Sequence, residues 1–181
     1  ADDQINKEIS KLENLNYLTP SAKSGEAEPC KAKITVETLA NAKFPKTITL
    51  DYGTGCKDPE GNFRAGKIIV VMTGPYWEKN TVRTAKLVDF KYNDLKIAGE
   101  RKEINKGAND KGYIVFEVKN SEKIWNSKNE LLVERNLERL RTCNRGANLT
   151  SNDDDEIWVT GKTVVNKNGK EKDFIITNTI I

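Results

Sequence analysis

The feature that most constrains this chain is a recurrence. Short segments rich in Ile, Val, Thr and aromatic residues repeat along it, divided by connectors with turn chemistry. Lys33–Glu37 and Lys46–Tyr52 alternate polar and β-favouring residues, and a turn-rich stretch, Gly53–Arg64, follows them. Gly66–Thr73, Thr81–Tyr92, Leu95–Lys106, Gly112–Lys119, Glu156–Asn166 and Lys172–Ile181 continue the series. The links between them include Asn93-Asp94, Gly107-Ala108-Asn109-Asp110 and Asn168-Gly169. Asn-Gly is the strongest short hairpin signal, because a type I′ turn needs positive φ at both central residues. Strands joined so briefly pair antiparallel with their sequence neighbours, since a parallel return needs a long crossover. The pattern predicts an all-β, mainly antiparallel fold: a long twisted meander forming a sandwich or half-open barrel, as a single domain over residues 30–181.

One segment resists this reading. Glu130–Arg141 has strong helix propensity, and Leu132, Asn136, Arg139 and Leu140 share a helical face. Read with period two, Leu131, Val133, Arg135, Leu137, Arg139 and Arg141 share a strand face instead. Strands on both sides favour the second reading, because tertiary context routinely overrides propensity. A weaker echo places a glycine in a strand pattern ahead of an asparagine: Gly74 with Asn80, Gly99 with Asn105, Gly161 with Asn166. Glycines inside strands mark bulges, bends or close backbone approach, and three at similar depths predict a sheet that curves along a line. Residues 1–18 carry Ile5, Ile9, Leu12, Leu15 and Leu18 at the spacing of a short amphipathic helix, and 19–29 read as linker. Residues 1–29 are therefore expected to be a flexible tether or linker ahead of the domain, with a short docked helix as the alternative.

The chain has no histidine. That excludes Ser-His-Asp and Cys-His nucleophile pairs, an imidazole base, and histidine-ligated zinc, iron or copper. Carboxylate chemistry, lysine chemistry and oxygen-bound cations remain. Thirty basic against 27 acidic residues leave +3, with both signs interspersed, so no nucleic acid is expected as partner. The longest apolar run, Ile68-Ile69-Val70-Val71-Met72, falls far short of the roughly 18 residues of a membrane-spanning helix. Cys30, Cys56 and Cys143 have no metal-ligand spacing. Cys30 and Cys56 lie beside turn residues at the outer ends of two strand-like segments, a placement that makes a disulfide between them geometrically plausible, with three reduced thiols as the alternative.

The acidic turns are the concentrated candidates for chemistry. Asp51, Asp58 and Glu60 flank the glycine-rich turn, and Asp153-Asp154-Asp155-Glu156 precede a strand. Two carboxylates about 5–9 Å apart would suit a glycosidase, one of them raised in pKa by apolar surroundings. Neither set shows such surroundings. Asp51, Asp58 and Glu60 are also the candidate oxygen ligands for Ca²⁺, though without the spacing of an EF-hand loop. Tyr76 and Trp77, after Gly74-Pro75, are candidate binding residues at an exposed loop, able to stack on sugar or anchor a protein interface. Trp158, between Ile157 and Val159, is expected in the core.

Residues 45–70 carry a more specific pattern. Pro45–Cys56, then Asp58–Arg64, then Gly66-Lys67-Ile68-Ile69-Val70, resemble a family of uncharacterised secreted and lipoprotein-like proteins of Bacteroidetes, whose pattern there is roughly PKTITIDFGTGC followed by DGRTRKGKIIV. Val88-Asp89-Phe90 through Gly99-Glu100-Arg101, Asp154–Gly161 and Asn166–Lys170 are similar to later stretches of that family more loosely, so the resemblance covers residues 30–181. Arg141-Thr142-Cys143 departs from it where an Arg-x-Trp is expected, which makes Cys143 a replacement for a packing aromatic. Asn62-Phe63 departs where the family turn is basic. The resemblance implies an exported protein of the cell envelope, outer-membrane lipoprotein-like or periplasmic, with a lipid upstream of Ala1. Export tolerates disulfides, which favours Cys30–Cys56. It brings no activity with it. The expected function is a non-enzymatic binding or structural protein with a glycan or an envelope protein as partner and no cofactor beyond a Ca²⁺ ion. The alternatives are a carboxylate-dependent glycan-active enzyme and a lipid carrier, which would need an apolar concave face.

Overall fold

The computed structural model describes residues 30, 32–40, 42–58, 61–145 and 155–180. The expected tether and its helix, with Glu60, Asp153 and Asp154, lie outside these. The strands are β1 (Lys33–Thr38), β2 (Lys46–Asp51), β3 (Cys56–Lys57), β4 (Phe63–Met72), β5 (Val82–Tyr92), β6 (Leu95–Ala108), β7 (Ile114–Trp125), β8 (Leu131–Asn144), β9 (Glu156–Lys167) and β10 (Lys170–Ile180). They form one antiparallel sheet in the order β1-β2-β4-β5-β6-β7-β8-β9-β10, with β3 paired to the start of β4. Among the described residues, strands touch only their ladder neighbours, and β1 and β10 are the edge strands of the sheet. The expected meander is thus a single open sheet.

The contested segment is strand β8. It pairs with β7 from Cys143 opposite Ile114 to Val133 opposite Ile124, and with β9 from Asn144 opposite Glu156 to Val133 opposite Lys167. Two full ladders outweigh helix propensity, which amounts to a few tenths of a kcal/mol per residue. Val133, Arg135, Leu137, Arg141 and Cys143 are buried, so the period-two face is the inner one, arginines included. β7 runs through Trp125, well past the expected end at Lys119, because Asn120–Ile124 find partners on both sides. β3 was not expected at all.

The hairpins follow the turn residues. Lys167 faces Lys170 across Asn168-Gly169, both with positive φ, and Tyr92 faces Leu95 across Asn93-Asp94, with Asn93 positive. Register shifts interrupt the ladders at Ala65/Lys67, Leu87/Phe90, Asn105/Gly107, Ile124/Trp125 and Ile176/Thr179, and each bulge adds local twist.

Among the described residues, two apolar clusters occupy the inner face. Phe90, Tyr92, Ile97, Ile124 and Val133 form one, with Tyr52, Ile68, Leu87 and Val165 against it. Phe116, Val118, Leu137 and Cys143 form the other, with Tyr76, Trp77, Ile114 and Ile157. Cys143 is one of the buried members of the second cluster. Trp158 does not join them. On β9 its neighbour Val159 is the buried residue, and Trp158 is half-buried and stacked on Tyr113 with ring centroids 5.3 Å apart.

The glycine echo holds in part. Gly74 lies in the β4–β5 connection rather than a strand. Gly99 and Gly161 are in strands, opposite Glu122 and Arg139 respectively. A Cβ on Gly161 would lie 2.2 Å from the Glu138 carbonyl oxygen, and one on Gly99 2.5 Å from that of Ser121. They do not share a line, since Gly99 sits in the cross-strand row of Glu122, Arg135 and Val165, while Gly161 sits in the row of Arg139, Val118 and Glu103. Each lets a neighbouring strand approach beside a long charged side chain.

Candidate functional site

The acidic turns do not meet. Asp51 ends β2 opposite Lys67, whose Nζ lies 2.9 Å from its Oδ2, and it also accepts the Gly53 N–H at 2.8 Å. The bond from Lys67 and then that from Gly53 hold its carboxyl below the ordinary range. Asp58 accepts the Asn62 N–H at 2.8 Å and pairs with Arg64 at 2.9 Å. Burial works against its charge, but the Asn62 bonds and Arg64 outweigh burial and lower its pKa. Glu156 starts β9 and accepts from Asn144 Nδ2 at 3.0 Å. Following the ladders, the Asp51 end of the sheet is the end of Val165, some nine residues along β9 from Glu156, or about 30 Å. Asp51 and Asp58 are thus each neutralised locally, at the opposite end of the sheet from Glu156. Among the described residues no group of three or more acidic or cysteine side chains could hold a metal ion.

The concentrated polar site is instead on the inner face, around Glu103. This β6 residue is 2% exposed, and its carboxylate takes Arg83 at 2.7 Å and the Nε of Arg101 at 3.0 Å. Tyr76 donates its hydroxyl to Glu103 Oε2 at 3.4 Å and accepts a hydrogen bond from Arg141. Burial alone would raise the Glu103 carboxyl, but Arg83, Arg101 and Arg141 together hold it below its ordinary value. Tyr76 moves the other way: burial, and then the Glu103 charge, raise its pKa and keep it a neutral donor.

The β4–β5 connection delivers Tyr76 and Trp77 to this place. Asn105, 1% exposed, organises it: its Nδ2 donates to the Tyr76 carbonyl at 3.1 Å, and its Oδ1 accepts the Gly107 N–H at 2.8 Å. Its backbone accepts from Asn80 N–H at 2.8 Å and donates to the Thr81 carbonyl at 3.0 Å. Tyr76 stacks on Phe116 at 5.0 Å between centroids, and the Arg83 guanidinium lies 4.9 Å from its ring centre. Trp77 meets Phe116 edge-on, and the Arg145 guanidinium lies 4.3 Å from its ring centre. The two aromatics singled out in sequence are half-buried packing residues of this loop.

A second charged pair lies toward the other apolar cluster, where buried Glu122 and Arg135 face each other across β7 and β8 and bond directly. Arg139 reaches Thr163 Oγ1 at 3.4 Å. Glu103, Asn105 and Glu122 had no motif to mark them. The β8 arginines did carry a signal, because period two already placed them on the face of Val133 and Leu137. The inner face thus carries Arg83, Arg101, Glu103, Glu122, Arg135, Arg139 and Arg141 beside its apolar clusters.

Cys143, in β8, is buried beside Asp155, whose Oδ2 is 3.7 Å from its sulfur. Burial, with the Asp155 charge, pushes its thiol up to about 11. It is therefore a poor nucleophile near neutrality, where reactivity follows the thiolate. Cys30 and Cys56 form a disulfide, with Cα atoms 5.2 Å apart, that ties the approach to β1 onto β3. A structural disulfide places the folded chain in an oxidising, extracytoplasmic environment. Among the described residues no helix is long and apolar enough to cross a membrane. No protein-family model, curated protein or solved structure matches this chain.

Proposed function

We propose that the chain is a non-enzymatic binding or structural protein of the bacterial cell envelope, outer-membrane lipoprotein-like or periplasmic. The observation that carries this is the state of Glu103. It is the most buried carboxylate of the polar site, and arginines hold it ionised when a general acid would need the opposite shift. Its neighbours are arranged to fix charge in place: Arg83 and Arg101 on the carboxylate, and Tyr76 bridging it to Arg141. Glu122 is likewise bonded to Arg135, and Asp51 and Asp58 to basic side chains.

An envelope protein suits the molecule better than a glycan as partner. Sugar stacking needs an open aromatic face, and Tyr76 has Phe116 stacked on it and Arg83 against its ring. The test has two arms. A panel of glycosides and envelope polysaccharides should show no turnover by the full chain. Hydrolysis that disappears in both Glu103→Gln and Tyr76→Phe would overturn the non-enzymatic reading. A glycan array should show no sugar retained by wild type. A glycan bound by wild type and lost in Trp77→Ala would move the ligand class to sugars.

A further inference from the structure

The open sheet leaves β1 as an edge, and its sequence is complementary to itself. β1 is exposed at all six positions, and among the described residues no strand lies on its far side. Lys33, Thr35 and Glu37 point to one face. Ile34 and Val36 point to the other, beside Leu50 and Ile48 of β2, and are 49% and 56% exposed. Apolar side chains on an edge strand with unpaired backbone groups invite another strand.

The geometry points to a second copy of this chain as that strand, joined antiparallel about a two-fold axis through Thr35. In that register Lys33 faces Glu37 of the other copy, Ile34 faces its Val36, and Thr35 faces its Thr35. The pairs then repeat by symmetry, as an isologous contact requires. Both charge pairs are attractive and fall on one face. Both Ile–Val pairs fall on the other, extending the apolar strip of Ile48, Leu50, Ile68 and Val70 across the seam. Sliding by two residues either way sets Thr35 opposite Lys33 or opposite Glu37 and breaks both Lys33–Glu37 pairs and both Ile34–Val36 pairs; with Thr35 opposite Lys33, Glu37 would instead lie opposite Lys31, which precedes β1 in the sequence. A one-residue slide sets inner side chains against outer ones.

The other edge is less suited. β10 carries a register shift between Ile176 and Thr179, and a bulge twists an edge away from a partner. β1 pairs with β2 over all six residues without a shift, and the Cys30–Cys56 bond ties down the chain just before it. β1 is thus a regularly paired edge with the disulfide at its approach. The dimer would be one continuous sheet crossing both molecules.

Sedimentation velocity on the full chain with its disulfide intact, over a wide concentration range, tests this. Wild type should show a reversible monomer–dimer equilibrium. Lys33→Glu alone or Glu37→Lys alone turns both attractive pairs into like-charge pairs and should weaken the dimer about tenfold or more. The double exchange Lys33→Glu/Glu37→Lys should restore it. All of these positions are exposed, so far-UV circular dichroism should be unchanged. A wild type that stays monomeric throughout, a dimer insensitive to either single exchange, or a double exchange without recovery would each overturn the proposal.

Discussion

Asn105 holds Tyr76 through the backbone, its side-chain amide donating to the Tyr76 carbonyl at 3.1 Å from a position that is 1% exposed. The two residues are 29 apart in sequence and lie on different elements. With the Asn80 N–H bond to the Asn105 carbonyl and the stacking of Tyr76 on Phe116, this bond holds the β4–β5 connection against the inner face, where the Tyr76 hydroxyl lies between Arg141 and Glu103.

Asn105→Ala should therefore cost about 3 kcal/mol. It removes two side-chain hydrogen bonds, and leaves the Tyr76 carbonyl and the Gly107 N–H without their partner in a buried setting. Urea denaturation measures the loss. Near-UV circular dichroism should change as well, because Tyr76 and Trp77 lose their fixed packing.

Glu103→Gln should destabilise by about 3 kcal/mol, since it leaves Arg83 and Arg101 around a neutral group in a buried site. The wild-type pH profile follows from the same contacts. The folded pKa of Glu103 lies below its ordinary 4.5, so its stabilising contribution is complete above that value and is lost as pH falls through the folded pKa. Chemical denaturation from pH 7 to pH 3 should show stability falling on the acid side in wild type. The Glu103→Gln profile should be flatter there.

Cys143 governs part of the alkaline side. Its thiol rises from 9.0 to about 11 on folding, so the folded state holds the proton longer, and stability falls as pH rises through that window. Cys143→Val should lessen the decline. At neutral pH a thiol reagent such as Ellman's should react with Cys143 slowly in the folded protein and fast once urea unfolds it. Immediate reaction of the folded protein would contradict both the burial and the raised pKa.

Cys30→Ser/Cys56→Ser should cost about 3.5 kcal/mol, the chain-entropy value for a loop closed over 26 residues. The bond joins the approach to β1 with β3, at one end of the sheet, so the loss should be felt there first. Hydrogen exchange should speed up at β1 and β2 in the double variant and stay unchanged in the ladders of β6 to β8.

The meander could be read in advance because its causes are local. Asn168-Gly169 encodes its own turn, and the alternation in β8 assigns Val133, Arg135 and Leu137 to one face whichever strands lie beside them. The strand choice at Glu130–Arg141 came from the neighbouring strands, and the two ladders uphold it. The end of β7 was hidden because Asn120-Ser121-Glu122-Lys123 has the composition of a loop. Only β6 and β8 on either side make a strand of it.

The sequence by itself determined an antiparallel all-β chain, its hairpin turns, and the face of β8 that carries three arginines. The turns and the alternation are set by residues a few positions apart; that Glu130–Arg141 is a strand, against its helix propensity, is set by β7 and β9 on either side. The tertiary structure decided that Glu103 collects Arg83 and Arg101, that Asn105 draws Tyr76 over Phe116, and that Asp51 and Glu156 lie at opposite ends of one sheet. Such relations depend on which strands stand side by side and in what register, and no short stretch of residues contains that. A carboxylate in a strand pattern looks the same whether it faces water or three arginines, and only the assembled sheet distinguishes the two.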